Sequence, residues 1–155
     1  MKLLFICYGN ICRSPMAEFI MKDIVKKAGL LNKFEIASAS TSTEEIGNPV
    51  YPPARKKLNE HKITCGGKTA RQMTNDDYNK YDYIIAMEER NIRDIKRNIC
   101  DDPENKMFRL LDFTNDKRDI SDPWYTNDFD TAWNDIFKGC EGLFKYLCEG
   151  KKYEA

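Results

Sequence analysis

Histidine is almost missing from this chain: His61 is the only one among 155 residues. A zinc site would have to lean on cysteine, and the spacing of Cys7 and Cys12 does not suit a zinc knuckle. No metal and no other cofactor is expected. An excess of charge of one sign is also absent, with 25 Lys plus Arg against 25 Asp plus Glu. No overall field therefore draws the chain to nucleic acid or to an anionic membrane. No stretch approaches the ~20 apolar residues that cross a bilayer. Met1-Lys2 followed by Leu3 to Cys7 faintly imitates a lipoprotein signal, but the apolar part is shorter than an h-region and a structured motif follows at once. Repeats and low-complexity segments are missing too. Six cysteines would allow three disulfides, yet a chain of this length needs no such staples and nothing marks it as secreted. The expectation is one domain over residues 1–155, large enough to bury a core, in the reduced cytoplasm.

What the chain does have is a loop at residues 7–15, Cys-Tyr-Gly-Asn-Ile-Cys-Arg-Ser-Pro. It follows Lys2-Leu3-Leu4-Phe5-Ile6, which is too short for a buried helix and the right length for a buried strand. Pro15 suits the first turn of a helix, where its missing N–H costs nothing. A strand, a tight glycine turn and a helix start together make a cradle of backbone N–H groups at the positive end of a helix, and such cradles bind anions, phosphate above all.

The remaining pattern alternates. Ala17, Ile20 or Met21, Ile24 and Ala28 fall at helical spacing, and Gly29 is a stop signal. Phe34 to Ser38 reads as a second strand, followed by a polar stretch from Ser40 to Pro49. Tyr51, Ala54, Leu58 and His61 share one face of a short helix. Residues 62–75 read as loop. Tyr83 to Met87 is a buried strand, and Ile92, Ile95 and Ile99 stripe a helix with Arg90, Arg93, Lys96 and Arg97 outside. Met107 to Leu111 reads as a last short strand and residues 112–128 as an aspartate-rich loop. Phe129, Ile136, Cys140, Leu143 and Leu147 mark a long closing helix. Strands alternating with helices imply right-handed crossovers and a mainly parallel sheet covered on both faces. Ligands in such sheets bind beyond the carboxyl ends of the strands, which is where the Cys7 loop leaves the first one.

The chemistry this loop suits needs a thiolate. Free cysteine ionises near ~8.5, and a helix N-terminus or a nearby cation lowers that value. At Cys7 the helix dipole, the loop amides and Arg13 act together, and the Ser14 hydroxyl is placed to donate to the sulfur. Arg13 offers a planar fork for two phosphate oxygens. Gly9 lets the backbone approach closely, and Asn10 tolerates the left-handed conformation that aims amides inward. The same Cys-x5-Arg spacing recurs at Cys65 to Arg71, but without a clear preceding strand and with Gln72 after the arginine. A buried core thiol is the plain alternative for Cys7. A thiolate attacking an aryl phosphate also needs a proton donor for the leaving oxygen. Asp122, held extended by Pro123, is the candidate, with Trp124 and Tyr125 as walls of an aromatic slot. An ordinary Asp-Pro turn is the competing reading, and the residues alone do not choose between the two.

With its Cys-x-Gly-Asn-Ile-Cys-Arg-Ser-Pro loop, the chain resembles the low-molecular-weight protein tyrosine phosphatases. The similarity runs on through Glu45-Ile46-Gly47-Asn48-Pro49, Ala70-Arg71-Gln72, Asn91-Ile92-Arg93-Asp94 and Asp122-Pro123. It implies a flavodoxin-like α/β fold, a four-stranded parallel sheet with helices on both faces. It implies a metal-free hydrolase of phosphotyrosine proteins or small aryl phosphates that releases inorganic phosphate through a cysteinyl-phosphate. Cys7 would be the nucleophile, Arg13 the phosphate ligand with the loop residues Tyr8, Gly9, Asn10, Ile11 and Cys12, and Asp122 the general acid. Asn10, Ser14 and Ser38 match a network that shapes the loop. Cys12 matches a second cysteine that can pair with the nucleophile under oxidation, and packing under the loop is its other role. Three positions depart from the family pattern: Lys68 stands where a histidine often completes the network, Glu44 where an aromatic often lines the slot, and Trp124 where tyrosine is more usual. Two rivals carry different chemistry. An arsenate reductase of the same fold needs a downstream cysteine relay, and no cysteine lies between Cys65 and Cys100. A non-catalytic phosphate-binding module would have no use for Cys7, Arg13 and Asp122 together.

Overall fold

The computed structural model describes residues 1–149. Its first strand, β1 (Lys2–Cys7), is buried from Leu3 onward. Leu3, Phe5 and Cys7 enter one hydrophobic cluster and Leu4 and Ile6 another, so both faces of the strand are apolar. That is the signature of a central strand in a parallel sheet. It pairs in parallel with β2 (Glu35–Ser40) on one side and β3 (Tyr83–Ala86) on the other, and β3 pairs with β4 (Met107–Arg109). The resulting order, β2-β1-β3-β4, reverses direction between β1 and β3. The crevice at such a reversal, outside the carboxyl ends, is where α/β sheets take ligands.

One face of the sheet is covered by α1 (Arg13–Lys27), α2 (Pro52–Glu60) and α6 (Phe129–Glu149). The other is covered by α3 (Asn75–Lys80) and α4 (Glu89–Asn98), through Tyr78, Tyr81, Ile92 and Ile95. The four-stranded parallel sheet flanked by helices is therefore the expected α/β fold. None of the described helices is long and apolar enough to cross a membrane.

Several details differ from the sequence expectation. In α1 the fully buried stripe runs Ala17, Met21, Val25 at i, i+4 spacing, with Ile24 half-buried beside it. Strand β2 reaches Ser40 rather than ending at Ser38, because its buried hydroxyls are satisfied: Ser38 Oγ donates to Glu18 and Ser40 Oγ to the Ser42 carbonyl. Leu110 and Leu111 leave the sheet for a 3₁₀ turn, Leu110–Phe113. Helix α3 stood outside the sequence reading, since one aromatic, Tyr78, among five polar residues shows no apolar period. Its signal is the capping pair Thr74 and Asp77. The expected 112–128 loop contains a one-turn helix, α5 (Pro123–Thr126). His61 stacks on Trp133 with ring centroids 4.1 Å apart, a packing role.

Helix α6 lies hard against the 3₁₀ turn because two of its residues lack side chains. A Cβ on Gly142 would stand 2.4 Å from the Phe113 carbonyl oxygen. Alanine there gains roughly 1 kcal/mol of helix propensity but incurs an overpacking cost of about 1–3 kcal/mol, since a backbone carbonyl cannot swing aside. Gly142→Ala is therefore expected to lose about 1 kcal/mol net and to melt earlier by a few degrees. A rise in melting temperature would mean that α6 rides clear of the turn.

Candidate active site

The loop after β1 is held from outside by its carbonyls. Those of Cys7 and Tyr8 accept from the Thr41 and Ser42 amides at 3.1 Å each, that of Ile11 from Tyr51 N–H at 2.8 Å, and that of Cys12 from Met16 N–H at 3.1 Å. With these acceptors engaged elsewhere, the N–H groups are what the loop has left to offer an anion. Asn10 makes the turn possible with φ at +61°, a conformation asparagine tolerates better than most residues. Its N–H donates to Cys7 Sγ at 3.3 Å.

Behind the loop runs a chain of side-chain hydrogen bonds with a defined direction. The Arg71 amide donates to Asn10 Oδ1 at 3.2 Å, which fixes the side-chain amide so that Nδ2 is the donor end. That nitrogen donates to Ser14 Oγ at 2.8 Å and to Ser38 Oγ at 2.9 Å. Ser38 passes its own hydrogen to Glu18 Oε1 at 2.5 Å. Ser14 Oγ, already accepting from Asn10, sits 3.0 Å from Cys7 Sγ and has its hydroxyl hydrogen free for the sulfur. Glu18 is 4 % exposed and is neutralised by Lys22 at 2.6 Å and Lys68 at 3.8 Å. Lys68 also donates to the Ser38 carbonyl at 2.9 Å. Burial pulls the Lys68 pKa down, and the Glu18 carboxylate opposes that pull. The lysine thus closes the network.

Arg13 is 2 % exposed, yet its guanidinium reaches three other segments. One nitrogen, Nη1, donates to Glu88 Oε2 at 2.6 Å and to the Ile120 carbonyl at 2.7 Å, and Nη2 lies 3.3 Å from Asp122 Oδ2. Burial alone would lower the Arg13 pKa, but the Cys7 sulfur and the carboxylates of Asp122 and Glu88 hold it above its ordinary value. Asp122 keeps the extended backbone expected before proline and caps α5, its Oδ1 accepting from Trp124 N–H at 3.0 Å. Cys12 is buried under the loop. That burial raises its pKa far above the usual thiol range, and the nearby Cys7 and Asp122 push it further, so it stands as a protonated thiol.

A pocket of about 110 Å³ opens above these groups. Cys7, Tyr8, Gly9, Ile11, Cys12, Arg13, Glu44, Asp122, Trp124 and Tyr125 all line it. The loop-supporting residues Asn10, Ser14 and Ser38 are buried behind it. The Tyr51 ring packs against that of Trp124, with centroids 4.8 Å apart. Of the six cysteines only Cys7 and Cys12 reach this pocket. Cys65, with its similar spacing to Arg71, is buried in the main hydrophobic core. Among the described residues no cluster of His, Cys, Asp and Glu is arranged to hold a metal ion. Two participants were missed at the sequence level. Glu88 is the second residue past β3, where the sheet order places it beside the site. Glu18 follows Ser14 by one helical turn, the spacing that puts two side chains on one face.

The chain matches the family described as low molecular weight phosphotyrosine protein phosphatase over residues 2–153. It is 38% identical over 152 residues to the low molecular weight protein-tyrosine-phosphatase YfkJ of Bacillus subtilis, covering 97% of each chain. It is 40% identical over 148 residues to a low molecular weight phosphotyrosine protein phosphatase of Gallus gallus, covering 92% of this chain and 93% of that one. Among solved structures, the crystal structure of the Bacillus subtilis YfkJ superposes with a TM-score of 0.93 at 37% identity, over 97% of this chain and 96% of that one.

Proposed function

Because the chain belongs to the low molecular weight phosphotyrosine protein phosphatases and is a hydrolase of phosphotyrosine, we propose that its reaction is carried by Cys7, Arg13 and Asp122. The sulfur of Cys7 attacks phosphorus in line, and the bond from phosphorus to the phenolic oxygen breaks. Asp122 gives its proton to the departing oxygen, leaving a cysteinyl-phosphate. Asp122, now a carboxylate, takes a proton from water as that water attacks phosphorus. The S–P bond breaks, and inorganic phosphate leaves. The Arg13 fork and the amides of residues 8–13 hold the equatorial oxygens in both steps, the largest electrostatic contribution available here. Trp124, Tyr125 and Glu44 border the aryl group. Phosphotyrosine proteins and small aryl phosphates are the substrates on this reading.

The observation that carries the assignment is the meeting of the three groups in one small pocket, with the Arg13 guanidinium 3.3 Å from the Asp122 carboxylate. We read residues 1–155 as one phosphatase domain, supported by the family match over 2–153. A cytoplasmic setting fits the six unpaired thiols. Asp122→Ala tests the acid role. It is expected to slow hydrolysis of an aryl phosphate with a poor leaving group by about 10²–10⁴-fold. The loss should shrink for a nitrophenol, which departs unaided, and vanadate should still inhibit. A variant that cleaves the poor leaving group as fast as the parent enzyme excludes Asp122 as the proton donor.

A further inference from the structure

The rim of the pocket carries more negative charge than a phosphate site requires. Glu44 and Glu45 line it beside the proton donor Asp122, against the single cation Arg13. That cation is engaged within the protein by Glu88 and Asp122. Neither Glu44 nor Glu45 has an ion-pair partner among the described residues. Glu45 accepts from Asn48 Nδ2 at 3.1 Å. Glu44 faces the Tyr8 phenol, whose pKa it raises as a hydrogen-bond partner. Arg90 lies over the Tyr8 ring at 5.7 Å and forms its ion pair with Asp94, at 3.8 Å. Trp124 and Tyr125 stand on the same rim, 51% and 82% exposed. Exposed aromatic faces beside unpaired carboxylates make a receptor for an ammonium or guanidinium group.

Resting on the assignment of this pocket as the catalytic site, we propose that it selects phosphotyrosine flanked by lysine or arginine, whose cation is taken up by Glu44 and Glu45 at the rim. A phosphate dianion entering here is repelled by two carboxylates that the catalytic groups do not need. A neighbouring basic side chain removes that repulsion and gains the aromatic contact, whereas a neighbouring acidic one adds to it. Discrimination then comes from attraction to one class and repulsion of the other.

The test uses the full chain and three phosphotyrosine peptides that differ only in the flanking residue, lysine, glutamine or glutamate, with p-nitrophenyl phosphate alongside. At low salt kcat/KM for the lysine peptide should exceed that for the glutamate peptide by about tenfold, the effect of one exposed pair gained and one repulsion avoided. Raising salt to half molar should bring the ratio near two, because rim charges are screened. The double substitution Glu44→Gln with Glu45→Gln should bring the ratio to about two at low salt, and Glu44→Lys with Glu45→Lys should invert it. Equal rates on the three peptides overturn the proposal, as does a lysine preference that survives in the glutamine double variant. Failure to hydrolyse even p-nitrophenyl phosphate would instead overturn the assignment of the catalytic site.

Discussion

Cys7→Ser is expected to reduce phosphate release from any aryl phosphate by on the order of 10⁴-fold or more, the scale seen when a covalent nucleophile is removed. Ser14 Oγ and the Asn10 amide would still find a partner in the new hydroxyl, so the loop keeps its shape and its affinity for phosphate. What it loses is a reactive atom. A serine hydroxyl needs a base to become a nucleophile, and the group nearest this position, Ser14 at 3.0 Å, is not one. Acid quenching during turnover of a ³²P-labelled substrate should trap a phosphoprotein with the parent chain and none with the variant. Cys65→Ser, at a position buried in the core, should retain turnover. Activity within tenfold of the parent in Cys7→Ser would remove the thiol from the mechanism.

Arg13→Lys is the next most damaging change, with an expected loss in kcat of roughly 10³-fold, the lower end of what a transition-state arginine supplies in phosphoryl transfer. Lysine preserves the charge and discards the fork. Its single ammonium cannot span Glu88, the Ile120 carbonyl and a phosphate oxygen as a guanidinium does. Arg13→Ala separates catalysis from folding. It leaves two carboxylates and a carbonyl without their donor, and breaking a fully buried pair costs about 3–5 kcal/mol. Here the side chains of Glu88 and Asp122 are 22% and 23% exposed, so water compensates part of the loss, and a stability decrease of about 1–3 kcal/mol is expected in urea. Were Arg13→Lys to retain a tenth of the parent kcat, charge would matter here and fork geometry would not.

How much of this was readable in advance depends on how local each feature is. The first strand, the loop and the start of α1 form a continuous stretch in which an apolar run, a glycine and Pro15 each restrict the backbone directly. The extended backbone of Asp122 was legible for the same reason, because Pro123 constrains it from the next position. Glu88 and Glu18 were not, since their importance comes from partners that only the packed molecule brings together: Arg13 across the sheet edge for one, Ser38 from the neighbouring strand for the other. The end of β2 was misplaced because buried serines look like loop until their acceptors are known. Lys68 could be noticed as a departure from a family pattern, but only the packed arrangement reveals its two attachments, to Glu18 and to the Ser38 carbonyl.

The closeness of α6 to the rest of the molecule has a consequence for biosynthesis. Helix α1, which issues from the reactive loop, packs against α6 in the same core cluster, although one is translated long before the other. A growing polypeptide therefore exposes the apolar side of α1 to water until α6 has emerged to cover it.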